Sequence, residues 1–387
     1  MVDFSKYSIS YDIFAKLPDR LRYNETISEY YKNLADENVD NFSERDKLDR
    51  VSSRVKNCSS IWDLLFFEKN NVKTIEGFNR CKDKFCANCQ SALALKREHQ
   101  FTPIFKKFSA DGNNVYHCIF TVKNCSATLL KPTIMQMFKS FSYLIRYLDG
   151  RCKIKDLDFK FLGFKSAVRS LEVTYNKEEN TYHPHLHCLF VFSKNFYLDK
   201  KIENVFSYSY SHSEIRYFSL VEILFQKIWF LLNKNEKVTL ENIDNLDVGF
   251  SVVFNEAKPE DYKEVFKYAL KNDLNKDKCL DYERFKVYRK NLKNLRFIQG
   301  YGDCINFDFE NDSLTDEDVD LFYNELRAEL FDIEEPELLH ESAISILEDL
   351  KKGGSYYITP GGIKKFVFEG ESQDILDLFT KKFGGQK

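Results

Sequence analysis

Three of the chain's seven histidines fall within five residues, in the run Tyr182-His183-Pro184-His185-Leu186-His187. The apolar stretch that follows, Cys188-Leu189-Phe190-Val191-Phe192, marks a buried strand. Side chains alternate along a strand, so His185 and His187 share a face, one pleat apart, while Leu186, Cys188 and Phe190 turn to a core. Neutral imidazole is a common ligand of divalent metals, and two side by side form half of a metal site. The plainer alternative is a strand edge whose histidines face solvent. His183 lies on the same face and flanks the pair. The lone His117, on another stretch, reads as a structural residue.

Residues 161–175, FLGFKSAVRSLEVTY, read as a long strand, and Asn176 to Thr181 as a polar turn, which predicts an antiparallel hairpin. If Tyr175 pairs with Tyr182, then Glu172 falls opposite His185 and Ser170 opposite His187. Opposed residues share a face about 5 Å apart, so Glu172 becomes a candidate third ligand. A slip of one residue would turn it to the far face.

A second constellation is Cys81-x4-Cys86-x2-Cys89. A C-x2-C turn points two sulfurs inward, and thiolates at this spacing converge on one Zn²⁺. Tetrahedral zinc takes four ligands. Cys58 is the nearest upstream candidate and is favoured; His99, within a predicted helix SALALKREHQF, is the alternative. A redox C-x-x-C would leave Cys81 unexplained. A third group lies on a helix predicted from Pro259 to Asn272, where Glu264 and Tyr268 are four apart and share a face. Lys267 and Lys271 add positive charge beside them.

The whole chain sets the context for these residues. Its 387 residues carry 43% hydrophobic side chains, enough for two or three domains. No long uncharged apolar run predicts a membrane span, and the N-terminus has no secretory pattern. The ten cysteines therefore point to a reducing, cytoplasmic setting rather than a disulfide scaffold. Net charge is −3, but it is unevenly spread. Residues 81–300 hold 36 Lys and Arg against 25 Asp and Glu; residues 301–387 hold 8 against 21. A basic middle and an acidic tail suit a phosphate-binding body with a separate appendage.

Residues 45–57 predict an exposed charged helix, and IWDLLFF after Cys58 an apolar helical stretch. VYHCIFTVK at 115–123 predicts a strand, followed by a helix with Pro132 in its first turn. Residues 214–233 predict a further helix, Asp247 to Phe254 a strand, and residues 281–297 a basic helical stretch. Beyond Asp303 the pattern is acidic and helical, with GGSYYITPGG as a break. The expected fold is α+β: a central antiparallel sheet with helices on one face and the functional site on the other. Residues 1–100 form an N-terminal region with a four-cysteine zinc module, 101–302 the central domain, and 303–387 an acidic, mainly helical C-terminal region.

Taken in order, these segments resemble the HUH endonucleases, and among them the rolling-circle replication initiators of small bacterial plasmids. The four-cysteine segment, FTVKN at 120–124, RSLEVTYN with YHPHLHCLFVF, EVFKY at 264–268 and RFIQGYG at 296–302 carry the resemblance. It implies an HUH fold and metal-dependent nicking of one DNA strand at the plasmid double-strand origin. His185, His187 and Glu172 would hold Mn²⁺ or Mg²⁺. Tyr268 would form a 5′-phosphotyrosine link and leave a 3′-OH primer, and Glu264 would act as general base in the terminating cleavage. Lys267 and Lys271 are candidate phosphate contacts. Expected partners are double- and single-stranded origin DNA, a host helicase and polymerase, and a second copy of the chain. The competing readings are a zinc-containing DNA-binding regulator without nicking activity, an HUH transposase or relaxase, and a hydrolase with a metal-bound water.

Overall fold

In a computed structural model of the chain, the described residues are 17–38, 40–58, 61–67, 72–78, 80–196, 202–203, 217–246, 249–258, 261–262, 265, 280–306, 354–358 and 363–369. In order they form α1 (Leu17–Glu37), α2 (Phe42–Lys56), β1 (Ile61–Phe67), β2 (Val72–Phe78), α3 (Ala87–Ala110), β3 (Asn114–Thr121), α4 (Leu130–Leu148), β4 (Phe164–Asn176), β5 (Thr181–Phe192), β6 (Ile202–Glu203) and β7 (Tyr217–Phe218). Then follow α5 (Leu220–Asn233), α6 (Leu240–Asp244), β8 (Val252–Glu256), α7 (Tyr282–Asn291), β9 (Ile298–Gly302), β10 (Gly354–Ile358) and β11 (Ile363–Glu369). They divide into two units, the first within 1–96, 272–285 and 312–387, the second within 97–271 and 286–311.

In the first unit, α1 and α2 form a helical hairpin joined by Ser28 and Ser52, whose buried hydroxyls bond each other and the facing carbonyls. Asn41 caps α2 by accepting from Glu44 N at 3.1 Å. The rings of Tyr30, Tyr31 and Phe85 pack around Phe285 at centroid distances of 5.5, 5.0 and 4.9 Å. The same unit holds a four-stranded antiparallel sheet in the order β10-β11-β1-β2.

The second unit is built on a five-stranded antiparallel sheet ordered β8-β3-β5-β4-β9. Helix α4 presents Ile134, Met137, Phe141, Leu144, Ile145 and Leu148 along one buried stripe. On the sheet face of Leu186, Cys188 and Phe190, Phe120 meets Phe141 and Trp229 edge-on at 5.5 and 5.2 Å. Buried polar groups lock α5 to the strands. Its capping-box Glu222 accepts from Ser219 N and, with its other oxygen, from Phe254 N on β8. Gln226 donates to Val252 O and Trp229 to Thr121 O. Buried Arg169 of β4 stands over the Phe138 ring and donates to Tyr301 Oη, Arg296 O and Gln299 Oε1, fastening β9. Gly302 ends β9 at φ +61°, where a side chain would collide with the Lys165 carbonyl.

The structure corrects several sequence expectations. IWDLLFF is strand β1, not helix, because its partners β2 and β11 supply the ladder; a seven-residue apolar run carries no period that separates the two. GGSYYITPGG is not a plain break: Gly354–Ile358 is strand β10 and Ile363–Glu369 strand β11, so among the described residues of the C-terminal region there is turn and strand but no helix. The helix expected over 214–233 begins at Leu220, after the Ser219 cap. Both sheet faces carry apolar cover. The histidine face packs Val115, Val168, Leu189, Val191 and Ile298 against Phe101 and Phe105 of α3 and against Tyr262 and Val265.

Candidate metal centres

The β4–β5 hairpin places the first site, and its turn sets the register. Asn176 Oδ1 accepts from the backbone N of Glu178 and Glu179, closing an Asx turn. Asn180 adopts φ +51°, a conformation asparagine tolerates, and its Oδ1 accepts from Tyr175 Oη. Tyr175 then pairs with Tyr182, Glu172 with His185 and Ser170 with His187, the register the hairpin reading anticipated.

Glu172 Oε2 lies 2.9 Å from His185 Nε2 and 2.7 Å from His187 Nε2. All three ligand atoms fall within 4.8 Å of one another. An octahedral ion with bonds of about 2.1 Å has edges of about 3.0 Å, so these atoms need only small shifts to occupy one face of it. Two imidazoles and a carboxylate are a donor set suited to a divalent ion, with coordination positions left for substrate or water. Burial works against ionisation of Glu172, but the hydrogen bonds and charges of His185 and His187 prevail and hold its carboxyl well below the usual range. His183, on the same face, is pushed down to about 4, first by burial and then by His185.

Both imidazole rings are anchored from behind. His185 Nδ1 lies 3.3 Å from the carbonyl of His183. His187 Nδ1 lies 3.1 Å from Nε2 of His117, on neighbouring strand β3, and the two rings stack at 14°. His117 Nδ1 is in turn 3.2 Å from Asp261 Oδ1. In the sequence His117 reads as a structural residue, and Asp261 carries no signal of a role at the site. No local signal marks them, because their role depends on β3 pairing with β5 in this order.

The second site lies in the first unit. Cys58, Cys81, Cys86 and Cys89 are all buried and bring their sulfurs together. Cys58 Sγ is 3.7 Å from Cys89 Sγ and 3.4 Å from Cys86 Sγ, and Cys81 Sγ is 3.6 Å from Cys89 Sγ. Zinc–sulfur bonds of about 2.3 Å give a tetrahedral edge of about 3.8 Å, so the four thiols fit a zinc ion. Cys58 thus occupies the fourth corner; the side chain of His99 lies outside the described residues. Asn24 of α1 joins this site, donating to Cys86 Sγ and accepting from Ala87 N. Bonds from Cys58, Cys81 and Cys86 hold the Cys89 thiol far below its ordinary range, while burial raises Cys86.

Four sequence-derived candidates, Glu264, Lys267, Tyr268 and Lys271, lie outside the described residues. Among the described residues no helix is long and apolar enough to cross a membrane.

Residues 72–206 match the family described as replication protein. That segment contains Glu172, His185, His187, Cys81, Cys86 and Cys89. Over 162 residues the chain is 30% identical to the Protein rep of Streptococcus pneumoniae serotype 2 (strain D39), covering 41% of this chain and 47% of that one. It is 35% identical over 122 residues to a Protein rep of Bacillus sp, covering 30% and 35%. It is 26% identical over 153 residues to one from Staphylococcus aureus, covering 38% and 60%. The chain therefore spans about half or less of the first two relatives. No solved structure matches it. At the level of the family, the resemblance to plasmid rolling-circle replication initiators is borne out.

Proposed function

We propose that this protein is a cytoplasmic initiator of plasmid rolling-circle replication that nicks one strand at the double-strand origin. The observation that carries the reading is the convergence of Glu172, His185 and His187 on one point of the sheet, inside the replication-protein segment. The unit around it is read as an HUH endonuclease domain, at 101–302, between a zinc module at 1–100 and an acidic region at 303–387.

Glu172, His185 and His187 would hold a divalent ion, Mn²⁺ or Mg²⁺, that would supply Lewis acidity toward the scissile phosphate. The two imidazoles and the carboxylate orient it, and the buried strand holds them rigid. Tyr268 is the nucleophile: its phenolic oxygen bonds to phosphorus as the bond to the 3′ oxygen breaks, giving a 5′-phosphotyrosine and a free 3′-OH. A phenolate leaves more readily than an alkoxide, so the link can be reopened. Glu264 takes the proton of water in the terminating cleavage. Lys267 and Lys271 contact phosphate, and the four cysteines hold a structural zinc. Host polymerase extends the 3′-OH, a host helicase opens the duplex, and a second copy of the chain is a candidate partner.

The test is incubation with supercoiled and single-stranded origin DNA plus Mn²⁺, followed by denaturing gels that reveal a protein–DNA adduct. Nicking with an adduct, lost in Tyr268→Phe, supports the reading. Origin binding without nicking favours a zinc-containing regulator. Nicking that persists in Tyr268→Phe favours a hydrolase that uses water.

A further inference from the structure

We propose that His117 and Asp261 form a positioning relay that fixes the tautomer and ring orientation of the metal ligand His187. The inference rests on reading Glu172, His185 and His187 as a divalent-metal centre, and it assigns roles to two residues outside that set.

The direction of the relay follows from the hydrogen-bonding inventory of its members. An ionised carboxylate has no proton to offer, so Asp261 Oδ1, 3.2 Å from His117 Nδ1, favours the tautomer that carries its proton on that nitrogen. With its proton on Nδ1, a neutral His117 presents a lone pair at Nε2. That atom lies 3.1 Å from His187 Nδ1, which must then be the donor. With a metal bound, a neutral His187 with its proton on Nδ1 turns its Nε2 lone pair to the metal position; without metal, the same nitrogen is the one that donates to Glu172 Oε2 at 2.7 Å. The opposite tautomer of His187 would set two lone pairs against each other across the 3.1 Å contact. Metal-binding histidines characteristically donate their second nitrogen to a carboxylate or carbonyl, which fixes the ring and makes it a better base.

His185 meets the same need through the His183 carbonyl. His187 has a histidine and a carboxylate in series instead. Asp261 is itself held, since its other oxygen accepts from Lys258 N at 2.8 Å. Packing alone does not call for an imidazole at position 117. The side chain is buried, with Leu189 of β5 and Asn255 of β8 opposite it across the two ladders and Val115 two residues away on its own strand, and an apolar ring would fill the space at lower desolvation cost.

The test is Mn²⁺ titration of the zinc-loaded full chain, with free Mn²⁺ read by electron paramagnetic resonance, and thermal melting as a check on folding. His117→Phe keeps the ring volume but cannot accept from His187. His117→Gln places an amide oxygen near the position of Nε2. Asp261→Ala removes the end of the relay without touching either ring. The expected result is Mn²⁺ affinity lowered about 10–100-fold in His117→Phe and Asp261→Ala, with His117→Gln recovering part of the loss. His187→Ala separates the two levels of the argument. If His187→Ala loses Mn²⁺ while Asp261→Ala and the folded His117 variants bind as wild type, the relay is overturned and the metal centre stands. If His187→Ala itself binds as wild type, the centre is overturned and the relay with it.

Discussion

Glu172 stands directly opposite His185 across the β4–β5 ladder, its Oε2 2.9 Å from the His185 Nε2 and 2.7 Å from that of His187. A carboxylate shared between two imidazoles on a buried strand is a poised binding site as much as a structural contact. In the metal-free protein it has a signature of its own.

The folded-state pKa of Glu172 is depressed below its ordinary value of 4.5. A depressed carboxyl contributes stability that is fully present above the unfolded pKa and is lost as pH falls through the folded one. Metal-free protein should therefore lose stability below about pH 4.5 more steeply than Glu172→Gln. Urea melts of both proteins between pH 6 and 3 measure this. Parallel stability curves would show that Glu172 is not held as described.

Zinc binding should depend on Cys58 and not on His99. Cys58 lies at the fourth corner of the sulfur cluster, 3.4 Å from Cys86 and 3.7 Å from Cys89. Cys58→Ala is expected to lower the zinc content of purified protein, measured by atomic absorption, while His99→Ala leaves it at one ion per chain. Removing the ion with a strong chelator should melt the surrounding region, since structural zinc supplies on the order of 10 kcal/mol in small zinc domains.

Asn24→Ala should destabilise the zinc region without abolishing it. Its fully buried side chain donates to Cys86 Sγ and accepts from Ala87 N, so truncation leaves a backbone donor unpaired at the start of α3. The expected cost is about 1–3 kcal/mol. Thermal melting of the zinc-loaded protein reads it, and an unchanged midpoint would count against the contact.

Glu222→Gln is a sharper test of the second unit than a core truncation. Both oxygens of this buried carboxylate accept from backbone N–H groups, of Ser219 and of Phe254. An amide would turn a donor toward one of those donors. A loss of about 1–3 kcal/mol is expected in denaturant melts, with faster amide exchange at Phe254.

The thiols of Cys118, Cys188 and Cys304 should resist alkylation at pH 8 in the native protein. Burial raises all three, Cys304 to about 11. The thiolate is the reactive form, so these sites stay inert until unfolding. Mass spectrometry after brief iodoacetamide treatment should find Cys152, which is only partly buried, modified ahead of them.

The parts of this protein that were legible in its sequence are the local ones. The hairpin turn carries its own register in Asn176 and Asn180, so the opposition of Glu172 and His185 could be counted from the turn outward. Short cysteine spacing brings Cys81, Cys86 and Cys89 together for a similar reason. The stripe of α4 is likewise a property of one helix.

Where partners are far apart in the chain, tertiary structure decided the outcome. IWDLLFF becomes a strand because β11, some three hundred residues later, pairs with it. Period alone cannot tell a short buried strand from a short buried helix. His117 read as a structural residue on its own strand. It becomes a partner of His187 only because β3 adds to the sheet beside β5, and because the segment holding Asp261 packs over that face. The types and spacing of Glu172, His185 and His187 were thus determined by the sequence itself. What holds those side chains was decided by the order of strands, since hydrogen bonding between strands is blind to the length of chain that separates them.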